Sequence, residues 1–282
     1  MQIFDFFFRE VFMRINSKIV VAVMAVLVCV LSVSVVFAEE FPHRKDFPNV
    51  SYVSSQELKA RYDKNEVIII DVRSKIEYNA IHIEKALHIP MAYATFVNDV
   101  MNLIRENPKK IIVFYCNGVT CLKSYESAQK MVDAGYTNSF AYDAGIPGWS
   151  KLYPSKTIVL GKILINPEKQ LISDDEFKKR LISFETFKTK AAKENTLVID
   201  IRDNIQSSGK LHGLEAARVI PLDIFIPNFA EKKAEQDKTL LIFDQVGKQV
   251  QWLMYYLRAN GYENYFFLDK GATEVLKKQE YK

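Results

Sequence analysis

The sequence predicts an α/β fold built twice, each copy a mostly parallel sheet flanked by helices. Two observations carry this. Short β-branched strands alternate with helical stretches, and the chain matches itself in ordered blocks. "VIIIDVRS" (67–74) pairs with "LVIDIRD" (197–203), and "ALHIP" (86–90) with "ARVIP" (217–221). "KKIIVFYC" (109–116) pairs with "KTLLIFD" (238–244), and "AGYTNSFAYDAG" (134–145) with "NGYENYFFLDKG" (260–271). Upstream, "VSSQEL" (53–58) pairs with "ISDDEF" (172–177), and all offsets lie between 119 and 131. The copies span 48–153 and 168–282, joined by a linker, 154–167.

The elements follow in chain order. Residues 19–37 are an uncharged apolar run, preceded by Arg14 and Lys18 and followed by Ala38 and Glu39–Glu40. Basic start, apolar stretch and small residues at Val36 and Ala38 predict a secretory signal over 1–38, or an uncleaved membrane anchor. The rest of the chain is then exported: periplasmic, or tethered and facing outside the cytoplasm. Met13 is an alternative start. Three basic and two acidic groups leave with this segment, which turns a net charge of +4 into +3, and Cys29 leaves too. Two cysteines remain, Cys116 and Cys121, too few for a disulfide-built scaffold.

Ser54 and Ser173, each three residues before a glutamate, read as capping boxes opening helices. Strands follow at 67–71 and 197–201, then an amphipathic stretch around 91–105. Strand 110–115 feeds a helix from about Ser124 to Ala134, ended by Gly135. A last strand, "SFAYDAG", closes the unit. With 49% apolar and 26% charged residues the composition is globular, and the weak, interspersed charge gives no nucleic-acid footprint.

Ligands in such sheets bind at the carboxyl ends of strands, where Cys116 stands. A thiol attacks as its thiolate. The amides of the following loop and first helical turn favour negative charge there. Asn117 and Gly118 tolerate the backbone curl, Lys123 adds a cation, and Ser124 suits an N-cap. Residues 116–124 thus predict a cup of donors around one sulfur. A buried, inert cysteine is the plainer alternative. Cys121 has three open roles: resolving or reversibly pairing with Cys116, packing inward, or forming a static disulfide that would distort the cup.

The set "IIIDVRS", "EYNAIHIEKALHIP", "IIVFYCNGVTCLKS" and "YDAGIPGWSK" resembles a rhodanese domain, the sulfurtransferase family. The second copy is similar to a degenerate rhodanese domain. The resemblance implies a tandem rhodanese-like chain in which Cys116 is the catalytic nucleophile and Asn117, Gly118, Val119, Thr120, Cys121, Leu122, Lys123 and Ser124 form the substrate loop. Cys116 would take a sulfane sulfur from a small anion such as thiosulfate, hold it as a persulfide, and pass it to a thiol or protein acceptor, with no metal or organic cofactor. The family's loop commonly carries an arginine five residues after its cysteine. Here Lys123 stands seven residues on, which widens the loop and loses the planar fork. Asp71 and Arg73 are expected to orient the loops.

Other readings stay in view: a sulfur carrier or partner-binding module without turnover, a dual-specificity-type phosphatase, and a thiol oxidoreductase. Trp149 reads as packing. His43, His82, His88 and His212 show no ligand spacing and read as loop hydrogen-bonders. Asn49 heads a sequon by pattern alone. Asp244 replaces the nucleophile in the second copy. A carboxylate there would itself occupy the anion cup and leave that copy catalytically silent.

Overall fold

The computed structural model describes residues 41–203 and 205–280, so the segment 1–38 lies outside the described residues. Residues Phe41–Lys282 form one compact unit. Among the described residues no helix is long and apolar enough to cross a membrane.

The first half runs β1 (Ser51–Tyr52), α1 (Ser55–Asp63), β2 (Val67–Asp71), α2 (Lys75–Ala80), β3 (Ile81–Ile83), β4 (Leu87–His88), α3 (Phe96–Glu106), β5 (Ile111–Tyr115), α4 (Lys123–Asp133), β6 (Ser139–Tyr142) and α5 (Gly145–Leu152). Five strands make a parallel sheet in the order β1-β6-β5-β2-β4, with Ile69 opposite Val113 and Asp71 opposite Tyr115. β2 and β5 are buried at every residue because helices cover both faces, hence their unbroken apolar runs. Side chains alternate across the sheet. Val67, Ile69, Val113 and Tyr115 join Leu58 and Trp149 on one face. Ile68, Ile70, Ile112 and Phe114 join Phe96, Val100, Tyr125 and Met131 on the other, and Cys116 continues this second row.

The stretch 154–167, read as a linker, is folded. β7 (Thr157–Val159) and β8 (Lys162–Ile163) add antiparallel to β3. Their turn, Leu160–Gly161, has positive φ at both residues, as a two-residue hairpin requires.

The second half contains β9 (Leu181–Ile182), α6 (Phe184–Ala191), β10 (Thr196–Asp200), β11 (Arg218–Val219), β12 (Thr239–Phe243), α7 (Gln249–Ala259), β13 (Tyr265–Leu268) and α8 (Gly271–Glu280). Its parallel sheet has the order β9-β13-β12-β10-β11, the strand order of the first sheet. One of the five blocks pairs differently in the structure. Ser173 does cap a short helix, Asp174–Lys178, but the helix that follows the edge strand is α6, capped by Ser183. The partner of Ser54 is therefore Ser183. The offset of 119 was the outlier among the five, and a short polar capping pattern recurs too readily to set register by itself.

The amphipathic stretch 91–105 becomes helical only at Phe96, because tight turns follow Pro90: Tyr93 N donates to Pro90 O and Phe96 N to Tyr93 O. Gly135, at φ +86°, follows the C-cap of α4 and donates to Val132 O. The two halves interlock. Ile76 of α2 is buried in the core of the second half, Tyr255 of α7 in that of the first, and Arg73 lies over the Trp252 ring.

Candidate active site

Cys116 follows β5, the middle strand of the first sheet, and is 1% exposed. The loop 117–122 leads into α4, which begins at Lys123 with Leu122 at its N-cap. Ser124 is therefore not the cap. It lies inside the first turn, buried, with Oγ 3.7 Å from Cys116 Sγ. Lys123 and Thr120 are exposed, Cys121 and Val119 half-buried, and Gly118 is buried at φ +102°. Cys116 and Cys121 are joined by a disulfide, with Cα atoms 6.3 Å apart. Cys121 O lies 3.4 Å from Cys116 Sγ. The sulfur thus meets its disulfide partner, a carbonyl and a hydroxyl.

A buried polar chain ties this loop to β2. Asp71 takes a bidentate grip from Arg73 at 2.7 and 2.9 Å, and both side chains are fully buried. Burial works against the Arg73 charge, but the Asp71 carboxylate overrides it and raises the guanidinium further. Arg73 also donates to Ile81 O at 2.6 Å and to Asn117 Oδ1 at 3.0 Å. Asn117 donates to Glu77 at 2.5 Å, and Glu77 accepts from Ser74 N and Oγ. So Arg73, held by Asp71, reaches the loop residue next to the cysteine.

Gly145 supports the loop from behind. At φ +57°, a Cβ there would collide with Gly118 N and Cys116 O, and the next amide, Ile146 N, donates to Cys116 O at 3.0 Å. Glu77 and Gly145 are site-supporting residues absent from the sequence-based set. The S-x-x-E pattern at Ser74–Glu77 was the available signal for the first. For the second it was the glycine repeated in "YDAG" and "LDKG".

The second sheet offers the comparison in place. Asp244 follows β12, and its carboxylate accepts from Val246 N (3.0 Å), Gly247 N, Gln249 N (2.5 Å) and Val250 N (3.1 Å). Burial pushes this carboxyl above its ordinary range, while the four amides pull it back. Arg202 grips Asp200 and reaches Gln245 Oε1 at 3.4 Å, as Arg73 reaches Asn117. Gly271, at φ +66°, backs the loop, with Ala272 N donating to Asp244 O.

Trp149 is fully buried and donates to Lys156 O. Ring nitrogens of His82 and His88 bond to Tyr78 O and Arg73 O, and that of His43 to Asp46. Among the described residues no group of His, Cys, Asp or Glu is arranged to hold a metal. Two clefts, of about 690 and 470 Å³, lie between the halves, lined by residues such as Asn79, Tyr256 and Glu231; neither includes Cys116.

Residues 54–152 match the family described as Rhodanese-like domain. A tRNA uridine(34) hydroxylase of Erwinia tasmaniensis is 26% identical over 132 residues, 44% of this chain and 37% of that protein. Its counterpart in Salmonella arizonae is 35% identical over 82 residues, 28% of this chain and 23% of that protein. The chain thus spans less than two fifths of the length of these curated relatives. Among solved structures, a thiosulfate sulfurtransferase from Pseudomonas aeruginosa is 18% identical with a TM-score of 0.35, over 81% of this chain and 44% of that one. An As-Sb reductase from Leishmania major is 19% identical with a TM-score of 0.35, over 46% of this chain and 97% of that one.

Proposed function

Residues 54–152 belong to the rhodanese-like domain family, and on that premise we propose that the chain is an exported sulfurtransferase working through a persulfide on Cys116. One observation carries the reading: within the matched domain, Cys116 ends the central parallel strand and opens the loop into α4. The reaction needs the reduced loop. The Cys116 thiolate attacks the outer sulfur of a donor such as thiosulfate, the S–S bond of the donor breaks, and sulfite leaves with its electron pair. Asn117, held by Arg73 and Glu77, fixes the start of the loop, and Ser124 Oγ is placed to donate to the thiolate. The exposed Lys123 supplies positive charge to an incoming anion. A thiol, or a protein bearing one, then takes the sulfur.

The second half is proposed to be a silent copy, since the Asp244 carboxylate already fills the position and can carry no persulfide. The apolar run 19–37 supports export or a membrane tether for the mature chain. The relatives named for tRNA uridine(34) hydroxylation match over a minority of their length, so they lend this chain the shared domain and no nucleic-acid partner.

The test is thiosulfate:cyanide sulfur transfer by reduced protein. Cys116→Ser should abolish it, and retained activity in that variant would overturn the assignment. A second reading is a sulfur carrier, favoured by the burial of Cys116 behind Cys121. It predicts a protein that gains the mass of one sulfur atom from donors yet turns over cyanide negligibly.

A further inference from the structure

Beyond transfer to an outside acceptor, and resting on the persulfide reading above, we propose that Cys121 is a resolving thiol that discharges the Cys116 persulfide as sulfide. The chain would then have a second activity, the reduction of sulfane sulfur to hydrosulfide.

The two loops carry the argument. The loop after Asp244 runs over 245–248 before α7, whereas the loop after Cys116 runs over 117–122 before α4, two residues longer. The longer loop holds the second cysteine of the described chain, five residues from the first. Their Cα separation of 6.3 Å lies within the span a disulfide bridges without moving backbone, roughly 4.4–6.8 Å. The bond closes while Asn117 keeps both its anchors and Ile146 N keeps Cys116 O. Oxidation therefore leaves the frame of the site assembled. Cys121 is half-buried between exposed Thr120 and Leu122, so an external dithiol has an approach to it that it lacks to Cys116.

The chemistry balances without an added oxidant. In the persulfide, Cys116 Sγ carries one outer sulfur. The Cys121 thiolate attacks Cys116 Sγ, a bond forms between the two cysteine sulfurs, and the bond to the outer sulfur breaks. That sulfur leaves with the electron pair and its proton as hydrosulfide. It is reduced by two electrons, and the two cysteine thiols are oxidised to the disulfide. The next turnover needs a dithiol reductant, which opens the disulfide by exchange and becomes oxidised itself.

A single-turnover experiment decides this. Full-length reduced protein, freed of small thiols, receives one equivalent of thiosulfate, and intact mass, free thiols and released sulfide are followed together. The wild type should release one sulfide per chain as two free thiols, those of Cys116 and Cys121, disappear. In Cys121→Ser and Cys121→Ala the persulfide should persist at least about tenfold longer, with no sulfide. A wild-type persulfide as long-lived as that of the Cys121 variants, or sulfide release without loss of thiols, would overturn the resolving role while leaving sulfur transfer intact. Failure of every protein with Cys116 to gain a sulfur atom would instead sink the persulfide reading beneath it.

Discussion

Cys116 and Asp244 stand at the same point of two sheets with one strand order, each at the end of the central strand and each followed by a helix. Around Asp244 the loop is short, and its amides converge on a carboxylate built into the chain. Around Cys116 the loop is longer, and the sulfur is bonded to a second cysteine with a carbonyl and a hydroxyl close by. Outside the loops the supports are alike: a buried Asp–Arg pair in front and a positive-φ glycine behind. The difference teaches that the scaffold for an anion and the group that uses it are separable. One half keeps these supports around a fixed carboxylate, and the other keeps them around a disulfide-bonded cysteine.

The largest expected effects test whether the supports are equivalent. Arg73→Met and Arg202→Met each strand a buried carboxylate and should each cost about 3–5 kcal/mol in urea denaturation. The milder Arg73→Lys and Arg202→Lys sharpen the contrast. Both should lose stability, but Arg73→Lys alone should also lower sulfur transfer, because only Arg73 positions Asn117 beside the cysteine. Equal loss of transfer in both would show that the loops do not act separately.

Next come the glycines. Gly145→Ala and Gly271→Ala each place a Cβ against loop backbone at positive φ and should destabilise by about 2–3 kcal/mol. Thermal melts check the size. Activity after correction for folded fraction should fall for Gly145→Ala and hold for Gly271→Ala.

Asp244→Asn is expected to cost about 1–2 kcal/mol, since an amide offers one acceptor oxygen and turns its NH₂ toward amide donors. The smallest effect is its pH dependence. The folded carboxyl titrates above its ordinary value of 3.8, so its contribution to stability is fully present below 3.8 and is lost as pH rises through the folded value. Denaturation midpoints of wild type and Asp244→Asn should therefore converge as pH rises through that window. Parallel profiles would refute the raised value.

Much was legible in the chain itself. Unbroken apolar runs marked β2, β5, β10 and β12, and the alternation of β5 put Cys116 on the face of α4. The aspartate in place of the nucleophile announced an occupied cup. Less legible was the order of the edge strands, where a two-residue strand such as β9 leaves little periodic trace and Ser173 imitated Ser183. Ser124 offered good cap chemistry, but burial against Cys116 drew it inside the helix.

What the sequence determined by itself was local: which residues alternate, which face each side chain takes, and where a strand hands over to a helix. These follow from the fixed periods of the backbone. What only the tertiary structure decided was which distant groups meet. Arg73 grips Asn117 across 44 positions, Gly145 closes on Cys116, and Ile76 and Tyr255 exchange places between two cores. No period encodes those meetings, because they depend on how whole layers settle against one another when every buried polar group must find a partner.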